Sequence, residues 1–454
     1  MAAWAAASER QCDVLVLEKM PRPGRKIMIT GKGRCNYSNM KPWNDFCQHI
    51  RSKQNFLRPA FYNLTPEAMT AFLNDEGLET TVQRGDRAYP ASLRAADVVD
   101  TLVEACREAG ARIETDAEVR LIEPTEEGFR LSTVDGFEYS CRKLIVATGG
   151  LSYPRTGSTG DGYKFAKEFG HSIKPLFPSL TALVPRNYKR TDAPRGETTG
   201  RIAARVLSGG AAEQVTKLLP DGYPETKGHI DWTLPLTDLG KDLCGLHLRN
   251  TGVTLTVGSD VVREEFGEIE FTDGGIEGPI GFAISRDAVK AISNGSKVAV
   301  TLNLKENVPA GELRETIDRQ LDAILRDPRS DGRKMTHILL VLLGKLLPRE
   351  AIAGFQRMHP GLLKDGKIDT KALQEALQAW KFEIAGFVGY ERSVVTAGGV
   401  STDEISPKTM ESRLHGGLYF AGEVMDIDSD TGGYNLQSAF STGALAGRSA
   451  ALAL

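Results

Sequence analysis

The chain has no cysteine pair at CxxC spacing, no long apolar run, no surplus of either charge and no glycine-rich phosphate fingerprint. Its six cysteines, at 12, 35, 47, 106, 141 and 244, match no metal-ligand spacing and suit a reducing compartment. The longest apolar run, Ile338 to Leu343, stops at Gly344 and Lys345, far short of the roughly 20 residues that span a bilayer. The alanine-rich start lacks a basic n-region, which argues against a signal peptide. With 56 Lys and Arg against 59 Asp and Glu, the net charge is −3 and no basic stripe forms. Those absences leave a cytoplasmic protein acting on a small molecule, without nucleic acid or membrane as partner. The scattered histidines suggest no metal site, and no acid or base for catalysis stands out.

What is present is a sequence of 454 residues, enough for more than one core. Ala2 to Ala7 read as helix, and Cys12 to Leu17 as a short buried strand closing on Glu18. In a dinucleotide-binding βαβ unit the ribose-holding acid ends the second strand, about 20 residues after a GxGxxG turn. Counting back from Glu18 reaches Met1, so a GxGxxG-type segment is expected ahead of Met1. A basic, glycine-spaced loop with no regular element follows, PRPGRKIMITGKGRCN. Helices are expected at Pro66 to Glu76 and Ala95 to Ala109, with strands near Ala117 to Ile122 and Phe129 to Thr133. The apolar strand Lys143 to Ala147 ends in Thr148, Gly149 and Gly150, where small residues admit a flat ring against a strand end.

From about 186 to 305 the pattern alternates as in LHLRNTGVTLTV, which predicts a β-rich insert. Residues 306–382 read as a helical insert, with helices at Leu313 to Leu325, His337 to Leu346 and Leu373 to Trp380. The strand pattern VVTAGGV and GLYFAGE then returns, and a helix from Leu436 to Ala450 ends the chain. The expected organisation is α/β: a discontinuous first domain, 1–185 with 383–454, interrupted by the two inserts.

Four separated stretches share one likeness: EKMPRPGRKIMITGKGRCN, IVATGGLSYPRTGSTGDGYKFAKEFGH, GEIEFTDGGIEGP and GGVSTDEISPKTMESRLHGGLYFAGEVMDIDSDTGGYNLQSAFSTGALAG. Together they resemble the bacterial NAD(P)/FAD-dependent oxidoreductases also labelled aminoacetone oxidase or bile-acid-inducible flavoprotein-like. The likeness covers nearly the whole chain, apart from extra length around 190–240 and the missing fingerprint. It implies a Rossmann-like FAD-binding domain of the two-dinucleotide-binding-domain type, FAD as cofactor, and hydride transfer at flavin N5. No second GxGxxG follows a strand, so NAD(P)H is expected only as a transient donor. Relatives are linked to steroid enone reduction and to amine oxidation, and related flavoproteins modify tRNA. A weak or non-catalytic FAD binder is the alternative if Met1 opens the native chain.

The resemblance assigns cofactor contacts to Glu18, Lys19 and the loop residues Arg25, Lys26, Gly31, Gly33, Arg34 and Cys35. Each has a plainer reading beside it. Glu18 is a ribose ligand or a solvated strand end, the basic loop residues offset pyrophosphate charge or face water, and Cys35 is better read as a packed thiol. Val119 offers its backbone to adenine or is ordinary core. Ala147, Thr148, Gly149 and Gly150 line the ring. Asp161 opens a helix whose amides face the ligand, or merely caps it. In the last stretch Gly422 and Glu423 approach the ribitol or pyrophosphate, and Gly432 and Gly433 bring backbone close. Asn435, Leu436 and Gln437 open the final helix toward the flavin, where a helix N-terminus favours the reduced, negatively charged ring by roughly 0.3 to 2 kcal/mol. Tyr434 stacks on a ring or plugs the loop.

Overall fold

A computed structural model describes residues 1–191 and 227–454, so most of the extra length around 190–240 lies outside the described residues. The chain forms two compact units. The first comprises Met1–Ser179 and Ser393–Leu454, and the second holds the described residues between them.

In the first unit, strand Leu15–Leu17 pairs in parallel with Arg112–Glu114, and strand Leu144–Val146 pairs in parallel with Leu418–Phe420. These short apolar strands carry their chemistry at their carboxyl ends, the edge where open α/β sheets bind ligands. The long final helix, Tyr434–Leu452, is rich in Ala, Ser and Gly, which lets the first helix, Ala2–Glu9, pack close: a side chain at Gly447 would overlap the Ala2 carbonyl. Their shared core takes in Tyr37, Met69, Leu73, Val98 and Phe440, and Trp4 meets Phe72 at 4.6 Å between rings. Helices Pro66–Asp75 and Ala95–Glu108 lie within two residues of their expected bounds. The basic loop is more regular than expected: Arg25–Ile29 is a short helix, entered through Gly24 in the left-handed region and followed by a tight turn.

The second unit contains a closed six-stranded barrel in the order Leu183–Pro185, Gly275–Glu277, Asp260–Thr272, His247–Val257, Val298–Asn303 and Trp380–Phe387. Strand Trp380–Phe387 shows why: Trp380, Phe382 and Ile384 point inward while Lys381 and Glu383 face out, the period of two that marks a half-buried strand. Phe271 sits 6.4 Å from Trp380 and 5.2 Å from Phe382, filling the barrel. The same unit holds helices Gly278–Ser293, Ala310–Arg326, Met335–Leu346, Ile352–Met358 and Thr370–Gln378. The helix expected to reach Trp380 stops at Gln378, because Trp380 already belongs to the barrel. Residues 180–185 and 383–392 lie in the second unit, the strands Leu183–Pro185 and Trp380–Phe387 both belonging to its barrel. Among the described residues no helix is long and apolar enough to cross a membrane.

Candidate functional site

Three chain segments meet at the strand ends of the first unit. Glu18 follows strand Leu15–Leu17, donates its N–H to the Glu114 carbonyl at 2.8 Å, and accepts the Met20 N–H on its carboxylate at 2.8 Å. Burial pushes its carboxyl above the usual range, against the opposing Met20 N–H and the charges of Lys19 and Arg25. Glu18 is therefore half-buried and ordered. Val119 opens strand Val119–Thr125 opposite Thr133, two residues beyond Ala117, whose N–H donates to the Glu18 carbonyl at 3.0 Å.

Lys19 reaches Thr159 and, at 2.5 Å, the Asp161 carboxylate. That carboxylate also accepts the Thr159 hydroxyl, while helix Asp161–Glu168 is entered through Gly160 at φ 81° with no side-chain cap. Asp161 thus anchors the loop to Lys19 instead of capping its helix. Lys26 donates to the Glu423 carboxylate at 2.5 Å and to the Ser152 hydroxyl at 2.8 Å, closing a contact across 397 residues of sequence. Arg25 is half-buried and donates to the Arg155 carbonyl, and Arg34 lies over the Tyr89 ring at 5.4 Å. Gly31, Lys32, Gly33 and Cys35 all adopt positive φ, a cost for the two non-glycines. Cys35 is fully buried, and burial pushes its thiol up to about 11.

Beside this loop, Ala147 to Gly150 leave strand Leu144–Val146 next to Gly422 and Glu423. A side chain at Gly150 would come within 2.6 Å of the Thr396 hydroxyl and 3.0 Å of Glu423. The Thr396 hydroxyl accepts the N–H groups of Leu151 and Ser152, and the Thr396 N–H donates to Glu423 at 2.7 Å. Thr396 and Ser152 are thus organising residues that sequence reasoning missed. The short TAGGV strand hinted at Thr396, but nothing in the sequence tied it to Glu423.

The third segment is the turn into the final helix. Gly432 and Gly433 have φ 121° and 98°, and a Cβ on Gly433 would overlap the Ser38 main chain. Asn39 donates to the Gly432 carbonyl at 3.1 Å. The side chains of Asn435 and Gln437 are taken by the protein: Asn435 by the main chain of Ser429 and Asp430, and Gln437 by Ser38, Leu64 and Ser441. Leu436 packs on the core. What this turn can offer a ligand is backbone, since the first bond into the helix comes from the Gln437 N–H to Gly433 and the preceding amides have no helical acceptor. Tyr434 is buried, its ring between those of Phe46 and His49. His49 and Arg51 both bind Asp430, an arrangement no local pattern announced.

This cradle fits a dinucleotide flavin. Strand ends with bare backbone, an ordered acid at Glu18, lysines at 19 and 26 and an open helix N-terminus supply the chemistry such a ligand needs. The side-chain oxygen of Asn36, in the same loop, is buried and has no donor among the described residues, as an acceptor reserved for a ligand would be.

The family described as HI0933-like protein Rossmann domain matches residues 1–449. The chain is 28% identical to the 3-dehydro-bile acid delta(4,6)-reductase of Clostridium scindens, over 98% of this chain and 95% of that protein. It is 28% identical to the ribosomal RNA dihydrouridine synthase of Escherichia coli K12, over 96% of this chain and 92% of that one. Among solved structures, the 3-ketosteroid-delta4-(5alpha)-dehydrogenase of Rhodococcus jostii RHA1 aligns with TM-score 0.37 and 16% identity, over 99% of this chain and 93% of that one.

Proposed function

The chain belongs to the HI0933-like family of Rossmann-type FAD-binding oxidoreductases, and from that premise we propose that it reduces a carbon–carbon double bond conjugated to a carbonyl in a small organic substrate. Two relatives that match almost end to end support the substrate class. Their names describe one a reductase of a 3-oxo-delta(4,6) system and the other a maker of dihydrouridine, and both reactions saturate a C=C bond next to C=O. The observation that carries the reading is the convergence of both ends of the first unit, through Lys26 with Glu423, Ser38 with Gln437 and Asn39 with Gly432.

Bound FAD would supply hydride chemistry. Glu18 would hold the ribose, Lys19 and Lys26 would offset phosphate charge, and Gly149, Gly150 and Gly422 would give the ring room. The amides of Tyr434 to Leu436 would stabilise negative charge on the reduced ring, raising its potential. NAD(P)H is the donor in this reading, arriving and leaving without a resident site. A nucleic-acid substrate is the second reading, raised by the dihydrouridine synthase likeness and weakened by a net charge of −3 without a basic stripe.

The test is anaerobic spectroscopy of the FAD-loaded protein. Bleaching by NAD(P)H followed by recolouring with cyclohexenone supports the proposal. Recolouring only by uridine-containing RNA supports the second reading. Bleaching by an amine alone, with no response to NAD(P)H, overturns both in favour of an oxidase.

A further inference from the structure

Saturating a conjugated double bond takes a hydride on the carbon remote from the carbonyl and a proton on the carbon beside it. The hydride carries both electrons, so the proton needs a separate acid. We propose that His49 is that acid, delivering the proton from Nε2, with Asp430 and Arg51 as its positioning residues; this role rests on the reductase reading above.

His49 belongs to the first unit and lies against the turn that opens the final helix. Its ring stacks on Tyr434 at 4.3 Å and 19° between planes, and Tyr434 directly follows Gly433. The His49 Nδ1 lies 3.0 Å from the Asp430 carboxylate, which Arg51 grips with two donors at 2.6 Å each. The main chain locks the same contact: Asp430 N–H donates to the His49 carbonyl, Arg51 N–H donates to the Asp428 carbonyl, and Ile50 bridges to Ser429. Burial alone would raise the Asp430 carboxyl, but the hydrogen bonds from His49 and Arg51 outweigh it and hold the carboxyl below the usual range.

An ionised carboxylate only accepts, so Nδ1 carries its hydrogen toward Asp430 and Nε2 is the ring atom left to take up and release a proton. This is the orienting logic of a carboxylate behind a working histidine. The His49 side chain is 35% exposed, and among the described residues no protein group is bonded to Nε2. Other charges around the stack are Arg87, Asp86 and Asp45, which act on Tyr434. In the step itself, the Nε2–H bond of the imidazolium breaks and a C–H bond forms with the electron pair of the enolate. The imidazole is left neutral and water reprotonates it.

The first test needs no turnover. Diethyl pyrocarbonate on the folded chain, mapped by mass spectrometry, should modify His49 along with exposed His247 and spare buried His171. A His49 as inert as His171 overturns the proposal.

The second uses His49→Ala, His49→Gln and Asp430→Asn on the FAD-loaded protein with cyclohexenone. For the two His49 variants, bleaching by NAD(P)H should be kept while recolouring slows by roughly 10²- to 10⁴-fold, the share general acids usually supply. Added imidazole should restore part of the His49→Ala rate. Asp430→Asn should slow recolouring by about 10- to 100-fold, as loss of an orienting partner does. Recolouring at the wild-type rate in His49→Ala overturns the role and leaves the reductase reading intact. Equal loss of bleaching and recolouring without imidazole rescue reduces His49 to a structural clamp and also overturns it. A wild-type protein that cyclohexenone and uridine-containing RNA both fail to recolour overturns the reductase reading, and this role with it.

Discussion

Replacing Glu423 with alanine removes the acceptor on which the two halves of the first unit meet, and its cost can be worked from three contacts. The Thr396 N–H donates to it at 2.7 Å and is fully buried, so losing that acceptor costs about 1–3 kcal/mol. Ser152 has an alternative in the Thr396 hydroxyl at 3.2 Å and loses little. Lys26 keeps 25% of its side chain exposed and can turn to water, a loss of about 0–1 kcal/mol. The sum is about 1–4 kcal/mol for Glu423→Ala. Glu423→Gln keeps an oxygen for Thr396 and should cost about 1 kcal/mol, and Lys26→Met, which leaves the carboxylate two donors, about the same. Because the chain has two units, a single unfolding free energy would blur them. Hydrogen exchange of a peptide covering 393–400 reads the opening of this contact locally. If Lys26→Met opens the segment as much as Glu423→Ala does, the carboxylate is not the hub and the reasoning fails.

Other consequences are equally open to measurement. Gly433→Ala should destabilise the first unit by more than about 3 kcal/mol, since it adds a side chain at φ 98° against the Ser38 main chain; unchanged urea unfolding of the final helix would contradict this. Cys35, buried and with its thiol raised to about 11, should resist iodoacetamide in the folded chain and react only after unfolding, as peptide mass mapping would reveal. His171 is buried, and burial chiefly, opposed by Glu404 and helped by His415, lowers its affinity for a proton. The unfolded chain then binds the extra proton, so this contribution to stability is full above about pH 6.5 and is lost as pH falls. The unfolding free energy of the first unit, read by hydrogen exchange corrected for intrinsic rates, should drop from about pH 7.5 to 5.5 less steeply in His171→Gln than in the wild type.

Much of the frame was legible because it rests on local pattern. The buried strand closing on Glu18, the paired glycines at 149–150 and 432–433 and the alternation between 247 and 272 each declare themselves within a dozen residues. Sequence pattern failed where one residue's role depends on another far away. Lys26 looked like a free cation because its partner is Glu423. Asn435 to Gln437 were legible as the opening of the last helix, but not the use of their side chains on the main chain of Ser429, Asp430 and Leu64. Asp161 could be read either as opening a ligand-facing helix or as its cap, and the pattern did not show that Gly160 supplies the entry and Lys19 takes the carboxylate. The helix expected to run to Trp380 failed for a local reason: WKFEIAGF has period two, and that signal outweighs the helical run before it. His49, Arg51 and Asp430 carry no period at all, so their meeting could be learned only from the fold.

The measurement closest to the central claim is a titration of the purified full chain with FAD, followed by visible absorbance after removal of free flavin. Enclosure by both ends of the first unit predicts saturation at one FAD per chain, with affinity lowered by at least about tenfold, or ~1.4 kcal/mol, in both Glu423→Ala and Gly433→Ala. A chain that stays colourless at saturating FAD, or binds it as tightly in both variants as in the wild type, would contradict the account.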